Sequence, residues 1–172
     1  KLEMKYVSLI CGLLIATMAQ AAADQPKVLG EYGDWVAWTY SDRGNLICYM
    51  SSTPKKDEGK YTKRGDIYAI VTHRPAEKSF DEVSFVAGYQ YKSNAAMTVK
   101  IGNQTFKNTF TEGDKAWMVN STEDRNLIAA MKRGSRMIVD GFSSRGTATK
   151  DTYSLKGFSS AYQAISAKCN KR

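Results

Sequence analysis

The feature that most constrains this chain is a repeated short-strand pattern punctuated by turn residues. Asp34 to Tyr40, Leu46 to Met50, Ile67 to His73, Val83 to Tyr91, Met97 to Ile101, Ala116 to Val119, Met137 to Gly141 and Thr147 to Tyr153 are all rich in β-branched and aromatic residues. Period two is clearest in the longest segment, where Val83, Phe85, Ala87, Tyr89 and Tyr91 share one face. Ser84, Gly88 and Gln90 take the other, with Val86 as the apolar exception, as expected of a half-buried antiparallel strand. Arg43-Gly44-Asn45, Gly102-Asn103, Glu112-Gly113-Asp114 and Arg145-Gly146 lie between strands and supply residues that tolerate positive φ. Many short strands at this spacing predict a sandwich or a barrel.

Two segments break the pattern. Ser121 to Gly134 begins with a hydroxyl, carries acids early and bases late, and ends in glycine. That predicts a short helix near 122–133, with Leu127, Ile128 and Met131 on its apolar face. Phe158, Tyr162 and Ile165 recur at helical spacing and predict a second helix, from Ser159 to Cys169. Ser51 to Arg64 reads as the most flexible stretch.

The first residues set the compartment. Met4 and Lys5 are followed by the apolar run Val7 to Met18 and then by Ala19-Gln20-Ala21, the small-x-small pattern of a signal-peptidase site. The expectation is residues 1–3 as upstream sequence, 4–21 as a signal peptide cleaved after Ala21, and one domain over 22–172. Slippage to a cut after Ala23 is the only variation expected. A retained anchor is the alternative, but the run falls short of the ~20 residues a spanning helix needs, so the mature protein should carry no transmembrane segment. Cys11 lies inside the apolar run with no small-residue site before it, which excludes a lipoprotein reading. Of 3 cysteines, Cys48 and Cys169 then remain, and in an oxidising compartment a disulfide between them is the simplest use. Two unrelated thiols are the alternative.

Chemistry is mostly absent. With 1 histidine, His73, a zinc site built on paired histidines is impossible, and no Gly-x-Ser-x-Gly elbow or glycine-rich phosphate cradle occurs. His73 reads as an exposed or partly covered strand-end side chain. No metal and no cofactor is implied. Acids such as Glu112, Asp114 and Asp140 could meet as a catalytic pair only through the fold, and solvated turn acids are the simpler reading. Trp35 and Trp38, three positions apart on one strand, must face opposite sides, so one approaches the surface and becomes a binding candidate. The formal charge is +8, or +7 once Lys1, Glu3 and Lys5 leave with the leader. Bases gather at Lys55, Lys56, Lys60, Lys63 and Arg64, at Lys132, Arg133 and Arg136, and at Lys168, Lys171 and Arg172. The first group is the candidate anion-binding surface, for an anionic envelope or host-surface polymer, and a generic solvated basic surface is its alternative. Nucleic acid is not expected outside the cytoplasm.

Gly33-Asp34-Trp35, Ile47-Cys48-Tyr49-Met50-Ser51, His73-Arg74-Pro75-Ala76, Glu82-Val83-Ser84-Phe85, Gly113-Asp114-Lys115-Ala116-Trp117, Ala130-Met131-Lys132-Arg133-Gly134 and the run from Ser144 to Phe158 follow in that order. Together they resemble the invasion-associated locus B family of exported proteins of Gram-negative bacteria. The resemblance implies an all-β fold, an immunoglobulin-like antiparallel β-sandwich, and residence in the periplasm or outer envelope. It also implies a contribution to host-cell entry in some members, and no known catalytic residues. Many members pair the cysteine matching Cys48 with one just beyond Gly-Asp-Trp; here that stretch reads Val36-Ala37-Trp38-Thr39-Tyr40, so the chain is similar to the branch whose partner is C-terminal. The expected function is a binding or accessory role in the envelope. A carboxylate-dependent hydrolase and a general envelope-integrity factor are the alternatives.

Overall fold

The computed structural model describes residues 24–171, so the expected leader, its cleavage site at Ala21 and Arg172 lie outside the described residues. Among the described residues there are twelve strands and two α-helices. In chain order they are β1 (Lys27–Tyr32), β2 (Trp35–Asp42), β3 (Asn45–Ser52), β4 (Lys56–Gly59), β5 (Tyr68–Arg74), β6 (Ser79–Val86), β7 (Thr98–Ile101), β8 (Gln104–Phe106), β9 (Thr109–Glu112) and β10 (Lys115–Met118). Then come α1 (Ser121–Arg133), β11 (Arg136–Phe142), β12 (Ala148–Ser154) and α2 (Phe158–Lys168). A seven-stranded sheet in the order β1-β2-β3-β5-β6-β10-β9 faces a five-stranded sheet in the order β4-β12-β11-β7-β8. Every pairing is antiparallel. The expected β-sandwich with a mid-chain helix and a C-terminal helix is what forms.

Alternation explains the core. Trp35 and Ala37 from β2, Cys48 and Met50 from β3, Ala69 and Val71 from β5, and Val83 and Phe85 from β6 are all buried. They meet Val99, Met137, Val139 and Tyr153 from the second sheet in one continuous apolar cluster. Beyond Val86 the chain leaves the ladder, because Gly88 turns to φ +70°, although Ala87 and Tyr91 stay buried.

The expectation of a loose Ser51–Arg64 loop is corrected in part. Lys56-Asp57-Glu58-Gly59 pairs with Thr149–Thr152 as β4. Such a charged sequence has little strand propensity of its own; it forms because β12 presents an open edge, and charge there discourages further pairing.

Both helices close the sandwich. In α1 the N-cap is Asn120 rather than Ser121: its Oδ1 accepts from the Thr122 and Glu123 amides, both at 3.0 Å. Leu127, Ile128 and Met131 are buried, and the helix packs on β6, β8 and β10. Helix α2 lays Phe158, Ala161, Tyr162 and Ile165 against β1, β2, β3 and β5. Phe158 meets Trp35 edge-on at 5.0 Å, and Cys169, just past the helix, forms the disulfide with Cys48. Gly157 makes the approach possible: at φ +88°, a Cβ there would lie 1.8 Å from the Tyr32 carbonyl oxygen.

Candidate functional site

The five bases of the expected anion-binding group do not stay together. Lys55 bonds Asp34, whose carboxyl it holds below the usual range, and Lys56 reaches Glu58 at 3.0 Å. Both are partly neutralised on the β4 side of the fold. Lys60 and Lys63 are exposed and line a cavity of about 600 Å³. Arg64 is the correction: its side chain is only 3% exposed, so it belongs to the interior and not to an open basic loop.

Its surroundings explain the burial. Two guanidinium nitrogens donate to the two carboxylate oxygens of Asp151, each at 2.7 Å, and Nε donates to the Ala87 carbonyl at 2.7 Å. Asp151 points inward from β12, so Arg64, from the β4–β5 connection, ties that sheet to the Ala87 carbonyl just past β6 of the other. Burial pushes the Asp151 pKa up and Arg64 opposes it, while the same pairing holds the guanidinium protonated. The rings of Tyr61 and Tyr89 lie 5.4 and 5.0 Å from the guanidinium carbon. Their hydroxyls are used: Tyr61 donates to Asp57 at 2.7 Å, and Tyr89 bonds Thr149 at 2.6 Å.

Three segments distant in sequence wall this cavity, namely residues 60–65, 88–90 and 143–149. The Gly65 amide donates to the Gly88 carbonyl at 2.9 Å and the Ser144 amide to the Gln90 carbonyl at 2.7 Å. Gly88 must be glycine, since a Cβ there would lie 2.4 Å from the Gly65 carbonyl oxygen. The β11–β12 turn is braced inside by Ser143, whose Oγ accepts from the Thr147 amide at 3.1 Å.

Electrostatically the cavity is one-sided. Its lining includes Lys60, Lys63, Arg64 and Arg145 and no acid. Arg64 is balanced by Asp151, whereas among the described residues no carboxylate lies within 4.0 Å of Lys60, Lys63 or Arg145. Three uncompensated cations around a concave wall concentrate positive potential there. Sequence reading missed Arg145, which stood out only as a turn residue; its place follows from β12 bringing the turn beside the β4–β5 connection.

The second polar cluster is interior. His73 is fully buried, not the exposed or partly covered strand-end side chain expected, because it shares the inward face of β5 with Ala69 and Val71. Its Nδ1 accepts from the Asp81 amide at 3.1 Å, so the ring proton sits on Nε2, which faces Ser166 Oγ at 3.1 Å. That tautomer donates to the serine and cannot act as its base. Burial lowers the His73 pKa to about 4. Tyr162 donates to Asp81 at 2.6 Å, and Lys171 contacts both, which ties the C-terminal residues to β6. Among the acids weighed as a pair, Asp140 takes Lys100 at 2.7 Å, while Glu112 and Asp114 flank the β9–β10 turn of the other sheet. Among the described residues no group of three or more His, Cys, Asp and Glu side chains could hold a metal ion, and no helix is long and apolar enough to cross a membrane.

Of the two tryptophans, Trp35 is core and Trp38 is half-buried on the outer face of the larger sheet. There Trp38 stacks on Tyr49 at 6.1 Å, and Trp117 stacks on Phe110 at 5.3 Å.

Fold and site together define an antiparallel β-sandwich with a disulfide-tied C-terminus and an acid-free cationic cavity. The family model described as Invasion associated locus B (IalB) protein matches residues 35–166, and the chain belongs to that family. The crystal structure of invasion associated protein B from Bartonella henselae aligns with a TM-score of 0.56 over 83% of this chain and 97% of that one, at 14% identity. At that identity the likeness speaks for the fold alone. No curated protein matches the chain.

Proposed function

We propose that this is an exported, non-catalytic protein of the bacterial envelope that binds anionic polymer through the surface around Lys60, Lys63 and Arg145. The observation that carries the reading is the acid-free lining of the cavity, on which three unpaired cations converge. The leader-like first residues and the net charge of +8 point the same way, toward anionic surfaces met outside the cytoplasm. The family's name and that of the Bartonella protein make host-cell entry the setting in which such binding would matter.

Fractionated cells should release a periplasmic or outer-envelope product whose intact mass places the first residue at Ala22. That product should bind lipopolysaccharide or heparin with affinity falling about tenfold or more on raising salt from low to physiological strength, where the Debye length is ~8 Å. Reversing Lys60, Lys63 and Arg145 to glutamate should abolish binding, whereas reversing the already partnered Lys55 and Lys56 should not. Salt-insensitive binding that survives the triple reversal would move the role to the Trp38 face.

A further inference from the structure

We propose that the cavity is a subsite for an acidic saccharide, a sugar unit carrying a sulfate, phosphate or carboxylate, rather than a generic patch for polyanion charge. This rests on the reading above, that the basic surface binds anionic polymer.

Concavity is the first argument. A linear polyanion can be held by charge on an open face, but here three chain segments wall a half-open depression of about 600 Å³, within the ~300–1,000 Å³ typical of small-molecule sites. Gly65–Gly88 and Ser144–Gln90 backbone bonds join its walls, and the buried Arg64–Asp151 pair sits beneath. A preformed site spends little binding energy on ordering itself.

The lining chemistry is the second. A bare sulfate offers only acceptors, and a phosphate at neutral pH adds only one or two P–O–H donors, so either is satisfied mainly by donors. This cavity also presents Thr62, Ser144 and Thr147 hydroxyls and the Gln90 amide, groups that both donate and accept. Among the described residues none of the Thr62, Ser144 and Thr147 hydroxyls or the Gln90 side chain takes a side-chain hydrogen bond within the protein, in contrast to Ser143, Tyr89 and Thr149 beside them. Sugar hydroxyls also donate and accept, so they complement such a wall. Tyr61 adds a half-buried ring against which the C–H face of a pyranose can pack. Lys60, Lys63 and Arg145 then take the anionic substituent.

The test uses the processed protein and titration calorimetry at fixed salt. Probes are a sulfated heparin disaccharide, glucosamine 6-phosphate, glucosamine, inorganic phosphate and inorganic polyphosphate. One saturable equivalent of a charged saccharide should bind at least tenfold more tightly than glucosamine or phosphate. Preference for the sulfated disaccharide would point to host glycan, and preference for the phosphorylated sugar to the bacterium's own envelope. Thr62→Val, Gln90→Ala and Ser144→Ala together should weaken saccharide binding at least tenfold and leave polyphosphate binding and thermal stability unchanged, since all three side chains are exposed. If polyphosphate or phosphate matches the saccharides and the triple variant binds like the parent, the saccharide subsite is refuted while the polymer reading stands. If heparin and lipopolysaccharide also fail to bind, both fall.

Discussion

Replacing Arg64 by methionine keeps most of the side chain's length but leaves Asp151 charged and alone. The carboxylate is 5% exposed and would lose two 2.7 Å charge-assisted hydrogen bonds, and the Ala87 carbonyl would lose its donor. Breaking one side of a buried ion pair costs about 3–5 kcal/mol, of which the lost Ala87 bond accounts for roughly 1. Asp151 can relieve part of this by taking up a proton. Its folded pKa, already raised by burial, would rise further once Arg64 no longer opposes the shift, so the folded state would bind the proton more tightly and the stability lost as pH rises would grow. Urea denaturation should therefore find the deficit of Arg64→Met smaller at pH 4.5 than at pH 7. A second variant, Arg64→Met with Asp151→Leu, removes both charges and should regain at least ~2 kcal/mol at pH 7, since apolar replacements of buried pairs are often neutral or better. A single variant costing less than ~1 kcal/mol, or a double no better than the single, would refute the account of this pair as a mutually dependent link between the sheets.

Two buried groups titrate with opposite consequences. Burial lowers His73 to about 4, so its share of stability is complete above ~6.5 and lost as pH falls toward 4. Burial raises Asp124 to about 6, so its share is complete below ~3.9 and lost as pH rises through 6. The two slopes oppose each other between pH 4 and 6, so together they give a shallower dependence there than either group alone. Asp124→Asn, which keeps an acceptor for the Val83 amide at 3.0 Å, should unmask stability rising with pH. His73→Asn, which keeps an acceptor for the Asp81 amide, should unmask the fall; parallel profiles in chemical denaturation would sink the argument. The disulfide spans 121 residues, for which chain entropy assigns ~5 kcal/mol, so Cys48→Ser and Cys169→Ser should each cost about 2–5 kcal/mol and by equal amounts. Thermal melts measure the loss, and free thiols in protein from an oxidising compartment would contradict the bond.

The sequence by itself determined the layers. Alternation in β2, β3, β5 and β6 decides which side chains face inward, and cap residues and helical spacing locate α1 and α2, because these signals arise within a few residues of one another. It also made Cys48 and Cys169 the simplest pair once Cys11 is read as part of a leader, and the fold joins those two. By the same alternation His73 was legible as buried, sharing a face with Ala69 and Val71, but its polarity argued the other way. The short edge strands β1, β4, β8 and β9 were not legible: Lys56 to Gly59 becomes a strand only because β12 lends it an edge. The cavity belongs wholly to the tertiary structure. Nothing local distinguishes Lys63 from Arg64, yet one is exposed and the other is buried, because the partner that makes burial tolerable, Asp151, lies 87 residues away and is brought there by the sandwich.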